Sequence, residues 1–341
     1  DIIHRSISNG ERIRAVGDYD IDGTSSCGIL VRGLTNIGAY VDARVPHRIK
    51  DGYGINKSMI DIAKADGVST IITCDNGIAA REAAVYAKEC GVKLIITDHH
   101  EVPYEIVNGE KNYIFPDADV IIDPKQPGCE YPFKELCGAG VAWKLICALG
   151  VDEEILIQTL QLAAFATIGD IVSLQGENRI LAKKGLELIN KLKTVSEYYD
   201  SYSEYEEMDF VDDYESESYD IVKNAQKSAA ILGLNALINV TGYTDKNIGA
   251  FEVGFILGPC INAAGRLDDA MNAVNLFLTD DYEEALVIAS KINELNNTRK
   301  NMTLDAVNRA IRIISQEGLA DNNVIVCYIP DCHEALAGLV A

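Results

Sequence analysis

Residues 17–26, GDYDIDGTSS, set three aspartates on alternate positions behind an apolar stretch and follow them with a glycine and small hydroxyl residues. Alternate residues of a strand face the same side, so Asp18, Asp20 and Asp22 would converge. Left unpaired, such carboxylates repel one another and raise each other's pKa. A single D-x-D is most simply a solvated acidic turn. Three carboxylates at a strand end also suit a divalent cation. The rest of the chain has to separate the two.

Outward from that stretch, short apolar runs alternate with helical patterns over the first 125 residues. Strands are predicted at Arg12–Gly17, Tyr40–Val45, Thr70–Cys74, Lys93–Thr97 and Val120–Ile122. Helices are predicted at Thr24–Asn36, Asn56–Ala65 and Ala79–Cys90. This alternation predicts an α/β fold, a parallel sheet with helices on both faces. Ligands of such sheets bind beyond the carboxyl ends of the strands, where Asp18–Asp22, Asp75 and Asp98–His100 all fall. From Cys137 the chain turns mostly helical, with candidates at Gly140–Leu149, Glu153–Thr167, Arg179–Leu192 and Asn224–Val240. Residues 195–222, rich in acids, Tyr and Ser without one Lys or Arg, read as an inserted surface segment. A long helix is expected over Asp281–Ile314 with a break near Asn296–Asn297, and NNVIVCYIP (322–330) reads as the first strand of another domain.

The chain has 341 residues, 48% of them hydrophobic, which suits a soluble globular protein of two domains. No run of about 18 apolar residues appears and the N-terminus is no signal peptide, so no membrane partner is expected. Nine scattered cysteines without a C-x-x-C pair fit reduced thiols in a cytoplasm. The net charge of −22 sits badly with nucleic-acid binding, although a local basic groove can coexist with an acidic exterior. The chain lacks an initiator Met and stops at HEALAGLVA inside an apolar pattern, which reads as a piece of something longer.

Four segments offer metal ligands at strand ends or helix termini: Asp18/Asp20/Asp22, Asp75 in TCDNGI, Asp98-His99-His100 in TDHHE, and Asp170 in TIGDIV. Each has an ordinary explanation alone, as a turn, a helix cap or a surface pair. Their order, D-x-D-x-D-G, D-N-G, D-H-H and G-D, resembles that of the DHH phosphoesterase superfamily. Within it DPKQPGCEYPFKELCGAGVAWKL (123–145), ATIGDIVSL (166–174) and GPCINAAGRL (258–267) are similar to the RecJ branch of single-strand-specific exonucleases. The likeness runs over about residues 12–341 apart from the acidic insert.

That resemblance implies a parallel-sheet DHH domain at residues 1–150 and a helical remainder at 151–280. It further implies a connecting helix at 281–320 and the start of a DHH-associated α/β domain at 321–341. Its pattern makes Asp20, Asp22, Asp75, His99 and Asp170 metal ligands, with Asp75 bridging two ions. Asp18 stands where many members carry His. Five carboxylates against two divalent cations leave a site near neutrality, and mixed imidazole and carboxylate donors suit Mn²⁺ somewhat better than Mg²⁺. The implied reaction is hydrolysis of single-stranded DNA from the 5′ end to 5′-mononucleotides in DNA repair and recombination, by a water the two metals activate. His100 would touch the scissile phosphate, help move a proton, or serve as an orienting neighbour. Asn262 and Arg266 would hold substrate phosphates, and His333 and Gly338 would approach substrate from the DHH-associated domain. Two positions depart from the pattern: Cys260, where Arg is common, and Ala335, where Gly is common. Lys125, Lys134 and Lys144 are groove charges or solvated surface. A monomer is expected, with a single-strand-binding protein or a helicase as possible associates.

Other readings compete. DYDIDGTSS also resembles the nucleophile motif of haloacid-dehalogenase-type phosphatases, but GDIVSL lacks the further acid that class needs, and D-H-H would have no role. A phosphodiesterase for short oligonucleotides or cyclic dinucleotides, a pyrophosphatase, and a non-catalytic replication scaffold share the superfamily's fold.

Overall fold

The computed structural model describes residues 1–193 and 229–341, and the acidic stretch 195–222 lies outside the described residues. The chain opens with α1 (Ile2–Ser8) and then alternates β1 (Arg12–Val16), α2 (Ile21–Asn36), β2 (Tyr40–Arg44), α3 (Lys57–Ala65), β3 (Val68–Cys74), α4 (Arg81–Glu89) and β4 (Lys93–Thr97). A hairpin of β5 (Tyr104–Val107) and β6 (Glu110–Tyr113) precedes β7 (Val120–Ile122). The main sheet has the order β2-β1-β3-β4-β7, every pair parallel.

Period-two side chains divide the sheet's two faces, as a parallel sheet covered on both sides requires. Ile13, Ala15, Ile72, Cys74 and Ile95 pack with α2 and the later helices, whereas Val16, Ile71, Leu94 and Ile96 pack with α3 and α4. The later helices are α5 (Gly138–Ala148), α6 (Glu153–Gly169), α7 (Gly176–Leu192), α8 (Leu232–Val240) and α9 (Ala250–Glu252). A π-helical turn (Val253–Leu257) then leads to α10 (Gly258–Leu267), α11 (Met271–Leu278), α12 (Tyr282–Gln316) and the short α13 (Ala337–Val340).

Four details differ from the sequence reading. The D-x-D-x-D stretch does not continue the strand: β1 ends at Val16, and Asp20 caps α2 by accepting from the N–H groups of Asp22 (2.9 Å) and Gly23 (3.1 Å). Its acids therefore converge through a strand-to-helix turn, not through strand alternation. The 35-residue α12, about 50 Å long, runs unbroken through Asn296. That side chain is buried, donates to Cys260 Sγ at 3.2 Å and accepts from Arg299, so it is tied sideways and does not compete with the helix backbone. The segment 322–330 forms no strand: no strand among the described residues pairs with it, and Val324, Val326 and Tyr328 are exposed. Finally, α1 and the β5–β6 hairpin were not anticipated.

Candidate metal centre

The turn after β1 is held by close backbone approaches. A Cβ on Gly23 would come 2.3 Å from Asp18 N, which lets the first turn of α2 lie directly on the Asp18 backbone. Asp22, fully buried in that turn, accepts from the N–H groups of Gly138 (2.6 Å) and Ala139 (2.7 Å) at the start of α5. A helix N-terminus favours a carboxylate there. Gly138 leaves no room for a side chain, since a Cβ would sit 2.6 Å from Asp75 Cβ. On the outer side of the turn, Asn262 of α10 accepts from Ile21 N–H at 2.8 Å.

Asp75 follows β3 at φ +61, a left-handed conformation that an aspartate tolerates better than most residues. Asn76 locks the bend by donating to the carbonyls of Val16 and Cys74 and accepting from Ile55 N–H. Tyr53 donates to the Asp75 carbonyl at 3.1 Å. After β4, Asp98 is saturated: it accepts from Ile78 N–H, His99 N–H, His100 N–H and His100 Nδ1, the last at 2.7 Å. Asp98 therefore orients His100 and leaves ligation to its neighbours. His99 Nε2 lies 3.0 Å from Asp75 Oδ1 and 3.6 Å from Asp22 Oδ2.

Three groups of donor atoms lie within 4.8 Å of one another: Asp18/Asp20/Asp75, Asp22/His99/Asp170 and Asp75/His99/His100. Asp75 belongs to two of them, at the junction of an acidic half and a mixed half. Burial and the neighbouring acids Asp22 and Asp20 raise Asp75 well above the usual carboxylate range, and burial raises Asp22. Burial with Asp20 beside it pushes Asp18 up to about 7, and burial with Asp22 and Asp20 pushes Asp170 up to about 8. Burial lowers His99 toward the neutral imidazole that ligation needs. The hydrogen bond with Asp98 raises His100, while Asp98 stays below its ordinary value despite burial.

Among the described residues, no Lys or Arg makes an ion pair with Asp18, Asp20, Asp22, Asp75 or Asp170. Asp18 Oδ1 is buried and accepts no hydrogen bond. A crowded set of carboxylates, three of them buried and one of those with an orphaned oxygen, beside a buried imidazole fits divalent cations.

The anticipated substrate contacts are placed as follows. Arg266 is half-buried, and burial, with Arg48 and Arg299 beside it, lowers its pKa; its Nη1 donates to the Ala335 carbonyl at 2.7 Å. Asn262 spends its oxygen on Ile21. His333 caps a short turn and lines a hollow with Asp305 and Arg309 of α12, and Gly338 is exposed. Cys260 is buried between α10 and α12, where its thiol donates to the Ile256 carbonyl. Lys125, Lys134 and Lys144 engage Glu101, the Cys129 carbonyl and Glu177. Sequence reasoning missed Arg48, whose guanidinium lies 4.6 Å over the Tyr19 ring, as well as Tyr53, Gly138 and Arg299. DGYG (51–54) and CGAG (137–140) were the available signals, since paired glycines mark close backbone approach.

Residues 12–168 match the N-terminal domain of the DHH family. The chain is 37% identical over its full length to the single-stranded-DNA-specific exonuclease RecJ of Bacillus subtilis and 30% identical to that of Escherichia coli. It spans 37% and 54% of those two proteins. Among solved structures, exonuclease RecJ bound to manganese aligns over all of this chain and 74% of its own, at a TM-score of 0.76 and 30% identity. RecJ of Thermus thermophilus in complex with Mn²⁺ aligns over all of this chain and 42% of its own, at 0.72 and 28%.

Proposed function

We propose that this chain, a member of the RecJ family within the DHH family, hydrolyses single-stranded DNA from the 5′ end to 5′-mononucleotides with two divalent cations. One observation carries the reading: the buried carboxylates Asp18, Asp22 and Asp75, none paired with a Lys or Arg, gather with the part-buried Asp20 and Asp170 and with His99 at one edge of the sheet. Asp20, Asp22, Asp75, His99 and Asp170 would hold the ions, Asp18 would complete the acidic half, and Asp75 would serve both. Mn²⁺ suits this donor set, with Mg²⁺ as the second choice. Divalent cations held there lower the pKa of a water and offset the charge that grows on a phosphodiester under attack.

The chain's own groups do the rest. Asp98 engages His100 Nδ1 in a hydrogen bond, which leaves Nε2 as the ring nitrogen that would face a bound phosphate. That hydrogen bond also raises the His100 pKa, which favours the protonated ring that a general acid needs. Gly138 and Ala139 N–H groups fix the orientation of Asp22, while Arg48 and Arg266 supply permanent charge for flanking phosphates. A DNA repair role in the cytoplasm, as a monomer fed by a helicase or a single-strand-binding protein, belongs to the same proposal; of these, only the reducing compartment is supported by the nine free cysteines. No helix among the described residues is long and apolar enough to cross a membrane. Incubation of 5′- and 3′-labelled single-stranded DNA with Mn²⁺ should release labelled mononucleotide at once from the 5′-labelled strand and only late from the other. Cutting of circular single strands, or release from the 3′ end first, would refute the proposal.

A further inference from the structure

Phe251 and Phe255 are 61% and 67% exposed, and their rings stack with centroids 5.0 Å apart at 27°. Phe251 lies in α9 and Phe255 within the π-helical turn that joins α9 to α10, with Val253 and Leu257 of that turn buried. Such turns recur at functional sites. Onward from these rings, Pro259, Asn262 and Arg266 follow at spacings of four, three and four residues, which puts all five side chains on one face. The far end of that face reaches the metal centre through the Asn262–Ile21 hydrogen bond. Its middle does so through Gly258, where a Cβ would come 3.2 Å from Ile21 Cδ1. A Cβ on Gly169 would meet the same Ile21 atom at 2.4 Å, so the end of α6 arrives at this spot too. Asp170 follows, and then Ile171, which is 87% exposed at φ +62, a strained conformation for a β-branched residue. Residues 253–267 contain no Asp or Glu in a chain whose net charge is −22.

We infer that Phe251, Phe255 and Ile171 form an apolar ledge that stacks nucleobases of the strand whose phosphate lies at the metal centre. The inference rests on the activity proposed above. A single strand matches the ledge on both counts: every base offers an apolar face, and the same row supplies Arg266 and no carboxylate for the phosphates to meet. A second copy of the chain, equally acidic, would bring like charge toward like charge.

The test is a cycle of Phe251→Ala/Phe255→Ala against loss of the bases, read as KM in Mn²⁺ on dT12 and on a 12-mer of abasic spacers. Melting temperature and elution volume are followed in parallel. The double variant should raise KM on dT12 about tenfold, within the range measured for one stacked base, with kcat changed less than about twofold. The abasic strand should show that same rise on the unaltered protein and no further rise on the variant, because both changes delete one interaction. Phe255→Trp should restore the low KM. Losses that add, an unchanged KM on dT12, or a change of elution volume pointing to a dimer would each overturn the ledge while leaving the activity standing. An unaltered protein that cannot hydrolyse dT12 would overturn the activity, and the ledge with it.

Discussion

On one side of the Ile21–Asn262 hydrogen bond lie carboxylates that are buried or part-buried, aligned and mutually repelling; on the other lie arginines and phenyl rings partly open to solvent. The first side is set before any ligand arrives. Backbone N–H groups aim Asp22, Asp98 aims His100, and a bend locked by Asn76 aims Asp75. The second side has few such restraints. Arg48 rests on Tyr19, Arg266 on one carbonyl, and the two Phe rings on each other. Bond making asks for atoms held to a fraction of an ångström, whereas gripping a flexible strand asks for charge and flat apolar surface. The first side also carries stored repulsion, which protons or cations must relieve.

Asp75→Asn breaks that side most severely. Turnover should fall by more than about 100-fold, beyond the usual cost of losing a residue that only supports a ligand. Stability without metal should not fall, because a raised carboxylate has been replaced by a neutral isostere. The pH dependence sharpens the point. Asp18 and Asp170 hold protons up to about 7 and about 8 in the folded state, while the unfolded chain releases them near the ordinary carboxylate value. The metal-free protein should therefore be most stable in acid and lose stability as pH rises from about 4 through about 8. Mn²⁺ should abolish most of that loss. Melting curves in chelator and in Mn²⁺ at both ends of this range check it, and a metal-free protein that grew more stable toward pH 8 would contradict it.

Much of this architecture was legible in the residues. The four acidic motifs each end a predicted strand or helix, and the β-strands Lys93–Thr97 and Val120–Ile122 fall where their apolar runs stand. The start of α2 was placed three residues late because Asp20 was read as a strand residue, although an acid three residues before a glycine and a small polar run is also a helix cap. The β5–β6 hairpin had its signal in Asn108-Gly109, both at positive φ, but its exposed strands carry no core pattern to draw attention. What no pattern could supply is contact across distance. Arg48, Arg299 and Gly138 matter through partners far away in the chain, and spacing says nothing of those.

Gly138→Ala tests how far the carboxylate side depends on backbone approach. The added methyl would overlap Asp75 Cα at 2.8 Å and crowd Asp22 Oδ2 at 3.0 Å. Overpacking of this kind costs about 1–3 kcal/mol of stability, and the displaced carboxylates should cost turnover roughly 10–100-fold, as loss of a supporting partner does. The ordered response to Mn²⁺ should weaken in parallel, read as a smaller rise in melting temperature. Full activity in this variant would mean that the site tolerates looser geometry than its packing suggests.

Asn262→Ala should have the smallest effect, because the residue stands on the boundary between the two sides. Its Oδ1 accepts from Ile21 N–H at the start of α2, beside the capping Asp20. Losing that acceptor leaves a partly buried N–H without its partner, worth about 1–2 kcal/mol. The turn bearing Asp20 and Asp22 would loosen, and kcat should fall by about tenfold or less. KM for a single-stranded substrate should hardly move, since the contact orients the turn and the proposed ledge, not this oxygen, would grip a strand. The amide nitrogen of Asn262 remains the alternative point of contact. If it were the residue's working end, binding a phosphate, the same variant would raise KM and leave melting temperature untouched. The two outcomes separate cleanly, and only the first keeps Asn262 with the carboxylates.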